Sequence, residues 1–310
     1  MVRKIKPADV QKALDNAYQK SQKEVNDGKL DSLMSDADPT SFAVSIVLTD
    51  GRVFEKGDTK IKSPLGRIAL VPTHVLVLSQ NTPEELIQKA GVCTCACKCQ
   101  KGAKPEIPLS PHGIRAVSVV TPQGDSDGKY SIMIDNIVAL TGSEPVLDDK
   151  LYERLGKDVA SADTINKIAA AEYNLYDDAG IAVDLYTRLA SLTFDTTQLA
   201  TMGATIAADG RNPITAEDVF DGKIAANVVT TMARGVHHEG RAWMMTTGLP
   251  AANSFGGAIL AVLPGFGAIA AYSPLLDSNG VSIKAAKAIY EFAKELQLNV
   301  FASARVMVEK

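Results

Sequence analysis

A chain of 310 residues, 46% hydrophobic and 22% charged, holds enough apolar material for a sizeable core in one large domain or two tightly packed ones. Its formal net charge is -4 with acidic and basic residues interspersed, so it lacks the basic stripe that a nucleic-acid partner requires. The N-terminal "MVRKIKPADVQKALDNAYQK" has no secretory apolar core, and the longest apolar runs are broken by Gly and Pro before the roughly 18 to 20 residues of a membrane span; a cytoplasmic chain without membrane contact is expected.

In chain order, residues 8 to about 28 read as an amphipathic helix ending at "DGK". "SFAVSIVLTDGRVFEKGD" then gives two alternating apolar runs around Asp50-Gly51, a hairpin whose Asp-Gly pair suits the positive backbone angles of a type I′ turn. The stretch from Ile61 to Asp149 is rich in Pro and Gly and reads as irregular, apart from a helix at "TPEELIQKAG" and apolar runs at "AVSVVTP" and "YSIMIDNIVAL". From Asp149 to Gly235 the pattern is helical; Asp195 can cap one start and Gly210 one end, with Leu199, Met202 and Ile206 on a common face. "GGAILAVLPGFGAIAAYSP" reads as a second hairpin, and "SIKAAKAIYEFAKELQL" as a closing helix that buries Ile289, Phe292 and Leu296. Strands at both ends around a helical middle predict an α+β fold whose sheet is assembled from the two chain ends.

The C-terminal half holds "LYTRLASLTFDTTQLATMGATIAADGRNPIT" and "TTGLPAANSFGGAILAVLPGFGAIAAYSPLLDSNGVS", including Tyr186, Gly210, Asn212-Pro213, Gly248-Leu249-Pro250-Ala251, Gly256-Gly257, Pro264-Gly265 and Ser273-Pro274. On these residues it resembles the serine-dependent glutaminase family, which has the penicillin-recognising β-lactamase-like fold. The first hairpin fits as well. The resemblance implies an α+β, β-lactamase/glutaminase-like fold: an antiparallel sheet from both chain ends packed with a helical middle region. It also implies one unit, with a sheet subdomain at about 1–65 and 240–310 and a helical or irregular subdomain at about 66–239, and a homo-oligomer.

Fold alone does not transfer activity, so each site position is read separately. The family's nucleophile lies in a Ser-x-x-Lys turn some ten residues after the Gly-Asp of the hairpin. Counting from Gly57-Asp58 reaches "PLGRIALV", with Arg67 in place of the serine and Leu70 in place of the lysine. "SPHGIRAV" leaves Ile114 in place of a substrate-binding Asn, "YERL" keeps Tyr152 but puts Leu155 in place of a glutamate, and "VHHEG" puts Val236 and His237 in place of Tyr and Asp. Tyr152 and Tyr186 remain as expected substrate-binding residues. Arg67 refills the nucleophile's space or binds an anion. The one Ser-x-x-Lys in the chain, Ser126 to Lys129, centres on Asp-Gly and reads as a β-turn.

All four cysteines stand in "GVCTCACKCQKG", at 93, 95, 97 and 99, in place of a family loop that delivers an Asn to bound glutamine. Alternate residues of a strand share a face, so the thiols form one row of roughly 20 Å at about 3.3 Å per residue, too long to close on one ion without curling. Soft thiolates select Cu(I), Zn or iron–sulfur species, and "VCTCAC" faintly resembles the claw of the nitrile hydratase and thiocyanate hydrolase families. A metal or cluster held by Cys93, Cys95, Cys97 and Cys99 with His237 and His238 is one reading; free thiols or a reversible local disulfide, with a solvated His pair, is the other. His112 is a further candidate ligand.

Three functions follow from these readings. The first is a repurposed pocket with a soft transition metal or iron–sulfur species acting as a hydrolase or hydratase on a small polar, amide- or nitrile-like molecule. The second is a non-catalytic glutaminase-fold protein for metal binding, sensing or assembly, and the third is an ordinary glutaminase.

Overall fold

The computed structural model describes residues 2–25, 27–90, 111–159, 175–233 and 240–309. The chain starts with β1 (Val2–Ile5) and α1 (Pro7–Gln22), whose Val10, Ala13, Leu14 and Ala17 recur at helical spacing and are buried. α1 stops short of the expected residue 28 because the stretch after Ser21 meets no core; Val25 is 79% exposed. β2 (Ala43–Leu48) and β3 (Val53–Gly57) form the expected hairpin with a different turn. Gly51 takes a φ of 87° and its N–H donates to Leu48 O at 3.0 Å, whereas Asp50 keeps a negative φ. A type I turn completed by a glycine bulge therefore replaces the expected type I′ turn.

The stretch expected to be irregular is largely helical. After β4 (Ser63–Pro64) come α2 (Leu70–Gln80), α3 (Pro83–Ala90), α4 (Pro111–Val119) and α5 (Ser126–Thr141). Pro83 stands at a first helical position, where the backbone N–H has no intrahelical partner to lose, so it begins a helix instead of breaking one. The Ser126–Lys129 segment is likewise no β-turn. Asp125 caps α5 by accepting from Gly128 N at 2.9 Å, and Ser126 to Lys129 form its first turn.

β5 (Val146–Leu147), α6 (Asp149–Val159) and α7 (Ala179–Ser191) follow, and α7 runs directly into β6 (Leu192–Phe194). α8 (Thr196–Ala207) begins at the capping box of Asp195 and Gln198 and buries Leu199, Met202 and Ile206 as expected. α9 (Ala225–Met232) and α10 (Gly240–Thr247) lead to β7 (Ala251–Asn253), β8 (Ala258–Leu263) and β9 (Gly267–Tyr272), then α11 (Ile283–Glu295) and β10 (Arg305–Val308).

The central antiparallel sheet runs β3-β2-β9-β8-β7, so β2 from the N-terminal part pairs with β9 from the C-terminal part, as the pattern of strands at both ends implies. Both faces are covered. Val44, Ile46, Ile259 and Ile269 meet Leu14 of α1 and Ile289 and Phe292 of α11 on one side. Val47, Leu260 and Val262 share a core with Leu199 and Met202 of α8 on the other. Double-sided burial explains why β2, β8 and β9 read as continuous apolar runs; each large apolar side chain so buried contributes about 1.5–3 kcal/mol. α8 approaches so closely that a Cβ on Gly203 would stand 2.5 Å from the Cβ of Ala268. A second, three-stranded sheet, β4-β6-β5, ties the start of α2 to the end of α7, and β1 pairs in parallel with β10. Among the described residues no helix is long and apolar enough to cross a membrane.

Candidate functional site

The site is assembled where β4 hands over to α2. Pro64 pairs with Thr193 of β6, and Leu65 N donates to Leu192 O at 2.7 Å, so this turn is anchored to the strand that continues α7. Gly66 follows with a φ of 53°, and its α-carbon lies so near the turn after β7 that a Cβ would sit 2.5 Å from Ser254 Oγ and 3.1 Å from the Phe255 ring. Ser254 locks the contact from below: its buried hydroxyl donates to Pro64 O at 2.6 Å and accepts from Gly256 N at 3.0 Å. A 3-10 turn, Gly66–Ala69, then passes into α2 with Leu65 and Ile68 fully buried.

Arg67 lies on that turn and Leu70 opens α2. Arg67 is half-buried. Burial pulls its pKa below the ordinary arginine value, and the neighbouring Tyr186 and Asp31 oppose that pull. No hydrogen bond or ion pair to another described residue engages the guanidinium.

Tyr186 comes from the middle of α7 and is 0% exposed. The first turn of α4 lies on its ring: a Cβ on Gly113 would be 2.1 Å from Tyr186 Cζ and 2.4 Å from its hydroxyl oxygen. Only glycine permits this approach. Ile114, the next residue, is fully buried in the same core as Tyr186, and so is Leu155 of α6.

Tyr152 stands elsewhere. Its hydroxyl donates to Asp184 of α7, Asp184 pairs with Arg188 at 2.9 Å, and the Arg188 guanidinium carbon lies 5.8 Å from the Tyr152 ring centre and 5.4 Å from that of Tyr130. The bond to Asp184, and burial after it, raise the Tyr152 pKa. Positions 184 and 188 share one face of a helix, and 186 points away from it. The structure thus joins Arg67 with Tyr186 and sets Tyr152 on the opposite side of α7.

Sequence reading passed over a histidine beside the site. His74 of α2 shares a hydrogen bond of 2.9 Å with Thr231 of α9. The Thr231 hydroxyl donates its proton to Val228 O at 2.7 Å, so His74 carries its own proton on Nδ1. Burial, and then the nearby His112 on α4, push the His74 pKa down to about 4. Its only signal in the sequence is one ring nitrogen amid the apolar "LVPTHVLVLS".

Ser126 and Lys129 lie on the first turn of α5, not on the turn that bears Arg67. The Lys129 nitrogen is engaged by the Asp177 carboxylate, the two side chains being 0% and 3% exposed, and it also approaches Val117 O at 3.4 Å. A lysine so engaged cannot draw a proton from serine. Cys93, Cys95, Cys97, Cys99, Val236, His237 and His238 lie outside the described residues. Among the described residues no group of three or more His, Cys, Asp or Glu is placed to hold a metal ion.

Comparison with known proteins bears on this geometry. The profile of the glutaminase family matches residues 30–301. A glutaminase of Bacteroides thetaiotaomicron is 31% identical over 319 residues, covering 99% of both chains. One of Parabacteroides distasonis is 32% identical over 324 residues, again covering 99% of each. Among solved structures, the probable glutaminase ybaS superposes with a TM-score of 0.86 at 29% identity, covering 96% of this chain and 100% of its own. A probable glutaminase from Bacillus subtilis, complexed with 6-diazo-5-oxo-L-norleucine, shares the fold with a TM-score of 0.78 at 17% identity, covering 97% and 99%. The expected α+β glutaminase-like fold is what these structures show. The expected metal-dependent hydrolase or hydratase is overturned, because whole-length relatives carry the name glutaminase.

Proposed function

The chain belongs to the glutaminase family, and we propose that within it this protein binds a glutamine- or glutamate-class amino acid at the Arg67–Tyr186 corner without hydrolysing glutamine by a serine–lysine route. The reading is supported by the turn Gly66–Ala69, which bears Arg67, with Leu70 opening α2 three residues on; counted from Gly57-Asp58, these are the positions where the family resemblance sets the nucleophilic serine and its lysine. An acyl transfer needs an oxygen or sulfur nucleophile and a group to take its proton. A guanidinium is not such a nucleophile, and an isobutyl group accepts no proton.

Two further features support the reading. Ile114 and Leu155, which the family resemblance sets in place of the substrate-binding Asn and the Glu, are packed into the apolar core and offer no polar contact to a substrate. Ser126 offers no substitute, because its lysine is held by Asp177. Retention of Tyr186 beside Arg67 supports binding over a purely structural role.

Ammonia release from L-glutamine by the purified protein tests the reading. No release above a protein-free blank is expected. Steady release would overturn it, and release abolished by Ser126→Ala would assign the nucleophile to α5.

A further inference from the structure

We propose that Arg67 is a carboxylate-binding group that takes the side-chain carboxylate of a glutamate-class amino acid, so that the site selects glutamate over glutamine. The inference rests on the reading of the Arg67–Tyr186 corner as a ligand site and goes beyond it by naming the charge of the ligand.

Three observations carry it. First, Arg67 is half-buried on a turn whose neighbours Leu65, Gly66 and Ile68 are buried, and among the described residues its guanidinium forms no hydrogen bond or ion pair. A cation held in a packed corner without a protein partner keeps its donors available to a ligand. Second, the nearby groups do not satisfy it. The Asp31 carboxylate is turned to its own 3-10 turn, where Oδ1 accepts from Leu33 N at 2.9 Å, and it makes no ion pair with Arg67. Tyr186 is fixed by the backbone of Gly113 against its ring. Third, the turn that bears Arg67 cannot relax to find another partner. It is pinned by Leu65 N to Leu192 O, by Ser254 Oγ to Pro64 O, and by Gly66 packed on Ser254 and Phe255.

The chemistry of the ligand follows from the chemistry of the donors. A guanidinium presents a planar fork of N–H groups that meets the two oxygens of a carboxylate in parallel, and it has no acceptor. The side-chain amide of glutamine offers one oxygen and an NH2 that finds only other donors. The turn also opens the helical stretch that runs from Gly66 through α2, and the positive end of a helix adds to the attraction for an anion. A rigid, pre-paid cation of this kind exchanges stability of the free protein for affinity, as functional sites commonly do.

Isothermal titration of the full chain with L-glutamate and with L-glutamine, repeated on Arg67→Gln and Arg67→Lys, tests the proposal. Glutamate should bind at least about tenfold more tightly than glutamine, as expected for a charge-assisted contact. Arg67→Gln should weaken glutamate by about 10 to 100-fold while leaving glutamine within a few fold, and Arg67→Lys, with charge but no fork, should fall between. Without ligand, Arg67→Gln should melt no lower than the wild type, because it removes an unpaired charge, and this measurement separates lost binding from lost folding. Equal affinity for the two amino acids, undiminished glutamate binding in Arg67→Gln, or no glutamate binding up to about 20 mM would overturn the proposal. Ammonia released from glutamine would instead mark failure of the functional reading beneath it.

Discussion

Replacing Gly113 by alanine sets two physical effects against each other at the wall of the site. Helix propensity alone favours alanine by up to about 1 kcal/mol, so an unobstructed helix would be stabilised. Here the new methyl would lie 2.1 Å from Tyr186 Cζ and 2.4 Å from its hydroxyl oxygen, whereas comfortable carbon contacts are about 3.5–4 Å. The ring must retreat by roughly 1.5 Å, and it is 0% exposed, with its own helix tied to β6. Forced repacking of this kind costs about 1–3 kcal/mol, which outweighs the propensity gain. A net loss of about 1–2 kcal/mol is expected, read as a lower urea midpoint at unchanged slope. In a Tyr186→Ala background the same substitution should cost nothing or stabilise slightly, because the obstructing ring is gone. A Gly113→Ala protein as stable as the wild type, or an undiminished cost after Tyr186→Ala, would refute this packing.

Lys129→Met should destabilise by about 3–5 kcal/mol, because it leaves the Asp177 carboxylate buried without its ammonium; the double variant Lys129→Met, Asp177→Leu should recover most of that loss in chemical denaturation, and equal losses in both would contradict the pairing. His74 has its pKa held at about 4 against 6.5, so between those values an unfolded chain gains a proton that the native one refuses. Its contribution is therefore complete above pH 6.5 and is lost as the pH falls toward 4, by up to about 3 kcal/mol. His74→Gln should flatten the stability profile over that window in urea titrations at several pH values, and an unchanged profile would count against the buried neutral ring.

What the sequence discloses and what it hides follow physical lines. Asp50-Gly51, the apolar runs of β8 and β9, and Asp195 with Gln198 are local signals whose causes lie within a few residues, and the structure contains each element they announce. The helices between Ile61 and Asp149 escape the same reading because a proline such as Pro83 looks like a breaker until its position in the first turn is known. "YSIMIDNIVAL" lies in α5, where Met133, Ile137 and Leu140 are buried on one face while Ile132, Ile134 and Val138 are half-buried beside it, so apolar residues off the buried face blur the helical period. The pairing of β1 with β10 joins the two ends of the chain, a contact no local pattern encodes. The site divides in the same way. Arg67 and Tyr186 are 119 positions apart and were connected by family resemblance; only the structure reveals Gly113 against the tyrosine and Tyr152 turned toward Asp184 on the far side of α7.

The central claim is that Arg67 occupies the nucleophile's place, and the most direct test is acylation. A serine–lysine enzyme mixed with excess L-γ-glutamyl-p-nitroanilide releases a burst of p-nitroaniline as its nucleophile is acylated. Rapid mixing with this protein should give no burst and no mass increase in the intact chain. A burst approaching one equivalent, with a γ-glutamyl group mapped to any side chain, would contradict the account and identify the nucleophile it denies.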